Sequence, residues 1–103
     1  MSRYAWLPLL LLVIAMCGCE KRQVPLREQY PGPWREAFNI GITKALIKNH
    51  VGGCGQYKYR ESAEYEDEYL VYCTADGTVW KSYLVWPNTG GVVGPSAPDP
   101  SLQ

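Results

Sequence analysis

An excess of charge of either sign is missing from this chain: 10 basic and 10 acidic side chains leave a formal net charge of zero over 103 residues. A nucleic-acid binder needs a clustered basic face, so that partner class is excluded. Histidine is scarce as well, with His50 alone. A zinc centre calls for four Cys or His ligands, and a hydrolytic triad calls for a histidine beside a nucleophile. No serine or cysteine nucleophile lies near His50 in sequence, and an imidazole at the end of an apolar periodic stretch suits a helix terminus. No metal, cofactor, small-molecule substrate or enzymatic activity is therefore expected. Internal repeats are absent. So is any apolar run long enough to span a bilayer, which takes roughly 20 residues.

What is present begins at the N-terminus. Met1-Ser2-Arg3 carries one positive charge and leads into the apolar block 7–16, Leu-Pro-Leu-Leu-Leu-Leu-Val-Ile-Ala-Met. A charged start, an apolar stretch of about 7–15 residues and a small-residue zone after it make an export signal. Pro8 sits near the start of the block, where it interrupts a helix least. The tetrapeptide Met16-Cys17-Gly18-Cys19 then resembles the lipobox of bacterial lipoproteins, with Met16 in the aliphatic place, Gly18 in the small one and Cys19 as the acylated cysteine. The resemblance covers the first nineteen residues only. It implies cleavage after residue 18, an acylated Cys19, and a mature chain held in a bacterial envelope membrane facing the periplasm. Each buried methylene contributes about 0.8 kcal/mol and stable anchoring takes more than one chain, a condition that three acyl chains would meet. Glu20 is not the aspartate that marks retention in the inner membrane of enterobacterial lipoproteins, so the resemblance favours the outer membrane. An uncleaved membrane anchor, or an ordinary export signal followed by a free Cys19, are the alternatives.

Loss of residues 1–18 would remove Arg3 and no acid, leaving 9 basic against 10 acidic side chains. Cys54 and Cys73 remain, and an exported pair meets an oxidising compartment where it forms a disulfide. A loop of about 20 residues closed in this way contributes roughly 3 kcal/mol. Small domains often depend on such a staple. The two are too far apart for a Cys-x-x-Cys redox motif.

Residues 19–32 are polar and broken by Pro25 and Pro31, which predicts a flexible tether reaching about 40 Å. A folded unit over 33–87 follows. Pro33 suits a first helical position, and Trp34, Phe38, Gly41 or Ile42, Ala45 and Leu46 recur at helical spacing, predicting a helix over 33–49. Gly41 within it reads as a tolerated defect costing about 1 kcal/mol. Residues 55–60, 68–74 and 78–86 read as strands, the last two joined through Asp76-Gly77. The expected fold is α+β, one N-terminal helix on a three-stranded antiparallel meander. Residues 88–103, rich in glycine and proline, read as a disordered tail.

Two surfaces stand out for binding. Residues 61–68 carry five carboxylates without the ligand spacing of an EF-hand, and such a run suits a solvated loop or a docking surface for a basic partner. Aromatic residues crowd the strands, and a single helix covers one sheet face, so Tyr57, Tyr59 and Tyr83 are expected on a partly uncovered face. In the last strand the side bearing Lys81 is expected to be the wetter one. The candidate binding surface is thus Tyr57, Tyr59, Tyr83, Glu64, Glu66 and Asp67. Together these features point to a membrane-anchored, non-enzymatic envelope lipoprotein that binds another envelope protein. An inhibitor or exclusion factor blocking a lytic enzyme, phage or conjugative element is the alternative.

Overall fold

A computed structural model describes residues 24–102. The export signal 1–18, Cys19 and the residues up to 23 lie outside the described residues. The chain is mixed α+β, built on a four-stranded antiparallel sheet in the order β1-β2-β3-β4. The strands are β1 Gln56–Glu61, β2 Tyr69–Thr74, β3 Trp80–Trp86 and β4 Gly91–Ser96. Among the described residues two helices precede them, α1 Leu26–Gln29 and α2 Ile40–Lys48, and a 3-10 turn at Pro100–Leu102 follows. No helix of the described residues is long and apolar enough to cross a membrane.

The helix expected over 33–49 is shorter than its apolar spacing suggested. Arg35 is captured by the sheet: its N–H donates to the Tyr59 carbonyl at 2.8 Å and its carbonyl accepts from Tyr59 at 2.9 Å. Backbone committed to a bridge cannot also be helical, so α2 starts only after Asn39. The Asn39 side chain accepts from the Ile42 N–H at 3.0 Å, which satisfies one of the first orphan donors of the helix. Ile42, Ala45 and Leu46, at i, i+3 and i+4, form its buried stripe. Gly41 is no idle defect, because a Cβ there would sit 2.9 Å from the Pro87 side chain. At the far end Asn49 Nδ2 donates to the carbonyls of Ala45 and Gly90, tying α2 to the β3–β4 turn.

Tyr59, Val71, Cys73, Tyr83 and Val85 pack beneath that stripe. Register places them on one face: Tyr59 opposes Val71, Val71 opposes Tyr83, and Tyr69 opposes Val85. The Lys81 side of β3 is therefore the helix-covered side, and only Lys81 itself, near the strand start, stays exposed. Fully burying a side chain such as Ile42, Val71 or Val85 contributes about 1.5–3 kcal/mol. The Cys54–Cys73 disulfide staples the connection after α2 to this face.

The opposite face is roofed rather than open. Tyr30, Leu70, Tyr72 and Leu102 form a second buried cluster, with Leu26, Trp34, Trp80 and Leu84 packed around it. Segments expected to be a flexible tether and a disordered tail supply this roof. Pro31 ends α1 by disfavouring helical geometry at Tyr30, and Tyr30 turns inward until 2% of its surface remains exposed. Trp34, expected on the helix, stacks on Tyr72 with ring centroids 4.6 Å apart. Its indole donates to the Leu102 carbonyl at 2.8 Å, and the Asp99 N–H donates to Tyr72 Oη at 2.9 Å. Arg60 pins the roof, donating to the carbonyls of Tyr30 and Leu102 with its guanidinium 4.4 Å from the Trp34 ring centroid. Covered on both faces, β2 reads as a continuous apolar run.

The fourth strand also replaces part of the expected tail. Val92 pairs with Val85 and Val93 with Leu84, and a register shift follows between Leu84 and Ser82. Gly94 sits at that shift with φ 135°, and a Cβ there would lie 2.8 Å from the Ser82 carbonyl oxygen. Pro95 is tolerated because β4 is an edge strand and needs no donor on its outer side.

Candidate functional site

The β1–β2 connection, residues 62–68, carries most of the acidic run at one end of the sheet. Its shape is set by its own polar atoms. Ser62 Oγ accepts from the N–H groups of Glu64 and Tyr65 at 3.1 and 3.0 Å, and Ser62 N–H donates to the Glu68 carbonyl at 2.9 Å. Ala63 N–H donates to the Gln29 carbonyl at 2.8 Å, so α1 braces the loop from the side.

The carboxylates divide by task. Glu68 accepts from Tyr30 Oη on one oxygen and from Trp86 Nε1 at 3.0 Å on the other. Asp67, at φ 65°, accepts from the Asn88 N–H at 2.9 Å and holds the β3–β4 turn. Glu61 faces Arg35 at 3.8 Å in an exposed pair, which contributes little in water. Glu64 and Glu66 are exposed, and Tyr65 between them is 57% exposed. Open clefts of about 470 and 490 Å³ flank this tip, the second reaching Val24 and Glu28. Burial, reinforced by the Glu68 carboxylate, raises the Tyr30 hydroxyl above the usual phenol range, so Tyr30 serves as a neutral donor. Of the acidic candidates, Glu64 and Glu66 are exposed, whereas Asp67 serves as scaffold.

The tyrosine candidates are placed differently from expectation. Tyr59 and Tyr83 retain 6% and 5% of their surface and belong to the core under α2. Tyr59 meets Tyr69 edge-on at 5.7 Å between centroids. Tyr57 is half-buried, and its hydroxyl accepts from Asn39 N–H at 3.0 Å and lies 2.7 Å from Thr43 Oγ1. These rings hold the helix and offer no aromatic sheet face to a partner. The reason lies in the phasing, since Tyr59 and Tyr83 share their parity with Val71 and Val85 on the face that α2 covers. His50 is exposed just past the helix end with φ 55°. Cys54 and Cys73 are joined. Among the described residues, no group of three or more His, Cys, Asp or Glu side chains is gathered as a metal site would require.

Two surface features escaped the sequence reading. Lys58 Nζ lies between Trp34 and Trp80, at 4.7 and 4.8 Å from their ring centroids, in a cation–π arrangement. Phe38, which shares the apolar helical spacing of the expected helix, is 72% exposed. Asn39 was the available signal: a helix capped there turns Ile42, Ala45 and Leu46 inward and leaves Phe38 outside. No protein-family model, curated protein or solved structure matches the chain.

Proposed function

We propose that the chain is a lipid-anchored envelope lipoprotein that works by binding, with the tip Glu64-Tyr65-Glu66 as its contact for a basic surface on another envelope protein. The division of labour within the acidic loop carries this reading. Asp67 and Glu68 hold the scaffold, whereas Glu64 and Glu66 meet only solvent on a loop braced from three sides. Solvated carboxylates on a fixed loop attract a basic partner at little ordering cost. An exposed Tyr between them is the residue type that anchors interfaces. The Met16-Cys17-Gly18-Cys19 tetrapeptide supports acylation at Cys19 and residence in the periplasm, with the outer membrane favoured.

In-cell cross-linking followed by affinity capture tests this reading, comparing the native chain with Cys19→Ser and with the double change Glu64→Lys and Glu66→Lys. The expected result is a resident envelope protein captured by the native chain and lost in both variants. Capture of the same protein by both variants would sink the reading. Capture of a phage or conjugation protein instead would favour the inhibitory role.

A further inference from the structure

The end of the sheet opposite the acidic loop carries an aromatic group that the second core only partly covers. Trp80 starts β3 there and is half-buried. Its ring lines a shallow dip of about 340 Å³ with Lys81, Pro95, Ser96, Ala97 and Pro98, none of them acidic. Of the three described tryptophans, Trp34 and Trp86 spend their indole N–H groups on the Leu102 carbonyl and on Glu68. The Trp80 N–H has no protein partner among the described residues and is not buried. Lys58 Nζ lies 4.8 Å from the Trp80 ring centroid, and Lys81 is exposed. The neighbouring acids are already engaged: Asp76 accepts from the Thr78 and Val79 N–H groups, and Asp99 accepts from Ser101.

These groups select the occupant. A ring with a cation already over it gains little from a second, because the two cations repel, which excludes ammonium ligands and basic peptides. A sugar ring presents C–H groups to an aromatic face and hydroxyl acceptors to a free N–H donor. The two lysines complement negative charge. Together they describe a pyranose ring with a carboxylate beside it.

Position argues for the same occupant. Val24 lines one cleft with Glu64 and Tyr65, so the chain enters at the Tyr69 end of β2. Thr74, at the other end, pairs with Trp80, about 20 Å farther along the strand. Val24 comes five residues after Cys19, and five extended residues reach about 18 Å at most. An acylated Cys19 thus keeps the acidic end beside the leaflet and sets Trp80 on the side away from lipid. The polymer that faces a bacterial envelope membrane from that side is the cell-wall glycan, whose sugars bear carboxylates.

We infer that the dip beside Trp80, with Lys58 and Lys81, binds the carboxylate-bearing glycan of the cell wall. The argument from position rests on the lipid-anchored reading; the chemistry of the dip stands apart from it.

Co-sedimentation of residues 20–103 with purified insoluble peptidoglycan tests the inference. This span lacks the apolar block and Cys19 yet keeps residues 24–102, which supply both cores. The expected result is retention that weakens as salt rises, with little retention on chitin, a neutral polymer of related sugars. Retention should survive removal of the stem peptides by an amidase, which leaves the glycan and frees its own carboxylates. Trp80→Ala should weaken binding by about tenfold at an unchanged circular dichroism spectrum. Lys81→Glu, at an exposed position outside both cores, should weaken it several-fold without touching the fold. No retention, equal retention on chitin, loss of retention with the stem peptides, or indifference to both variants would each overturn the inference. Mass spectrometry of Cys19 in the full chain from cells is read separately. An unmodified Cys19 with retention intact removes the anchor and keeps the glycan site; an acylated Cys19 without retention does the reverse.

Discussion

The indole N–H of Trp34 donates to the carbonyl oxygen of Leu102 at 2.8 Å, joining residues 68 positions apart across one sheet face. That bond closes a roof made from the two polar, proline-containing ends of the described chain. It makes the last residues part of the core. Leu102 keeps 2% of its surface exposed, and truncating such a side chain costs about 2–5 kcal/mol. Leu102→Ala, or a stop after Pro98, should lower the urea midpoint accordingly; an unchanged midpoint would show that the roof contributes nothing to stability.

The acidic loop should separate into structural and free carboxylates. Glu68→Gln weakens the acceptor shared by Tyr30 and Trp86 and should cost about 1–3 kcal/mol. Glu64→Gln and Glu66→Gln should each stay within about 0.5 kcal/mol of the native chain, as exposed substitutions do. Equilibrium denaturation of the three variants checks the ordering, and equal losses would remove the distinction on which the proposed contact depends.

Alkaline pH should destabilise the domain through its buried phenols. Burial raises Tyr30, Tyr69 and Tyr72 above their ordinary value of 10.0. Their contribution is whole below the unfolded value and shrinks as pH rises beyond it, because the unfolded chain releases protons that the folded one keeps. At the acid end the Thr78 and Val79 N–H groups hold Asp76 at about 2, below its ordinary 3.8. Its contribution is complete above roughly pH 4 and disappears as pH falls through about 2. Thermal midpoints against pH should fall at both ends. Tyr30→Phe should flatten the alkaline limb and Asp76→Ala the acid one.

Removing the staple should be costly. Cys54 and Cys73 lie 19 residues apart in sequence, and opening such a loop costs roughly 3 kcal/mol. The Cys54→Ser, Cys73→Ser double variant should show that loss in denaturant. A difference under about 1 kcal/mol would place most of the stability in the two cores instead.

The edge strand should fail at one residue. Gly94→Ala sets a methyl group against the Ser82 carbonyl at a positive φ, strain of about 1–3 kcal/mol. Amide exchange should then quicken in Val92 and Val93 before it does in β2.

Where local signals were strong, the sequence and the structure agree. The alternating aromatic stretches became β1, β2 and β3 within two residues of their expected limits, and Cys54 and Cys73 joined as expected. The failures all involve contacts distant in sequence. Trp34 and Phe38 share the spacing of Ile42 and Leu46, but Arg35 finds a bridge with Tyr59 that no periodicity announces. Val92-Val93 is too short an apolar segment to declare a strand, and only pairing with Val85 and Leu84 makes it one. Leu26, Tyr30 and Leu102 stand alone among prolines and polar residues, so composition reads them as loose chain. The site suffered likewise, since Tyr59 and Tyr83 look available until the helix above them is placed.

One consequence of the roof concerns how the chain could be re-cut. Helix α1 packs against the 3-10 turn, so the two ends of the described chain lie side by side. A short linker from residue 102 to residue 24 would make a ring, and new ends could be opened in the exposed hairpin 75–79. Such a circular permutant keeps every pair in both clusters, and it would carry any attached anchor at the opposite end of the sheet, with the acidic tip facing away from the membrane.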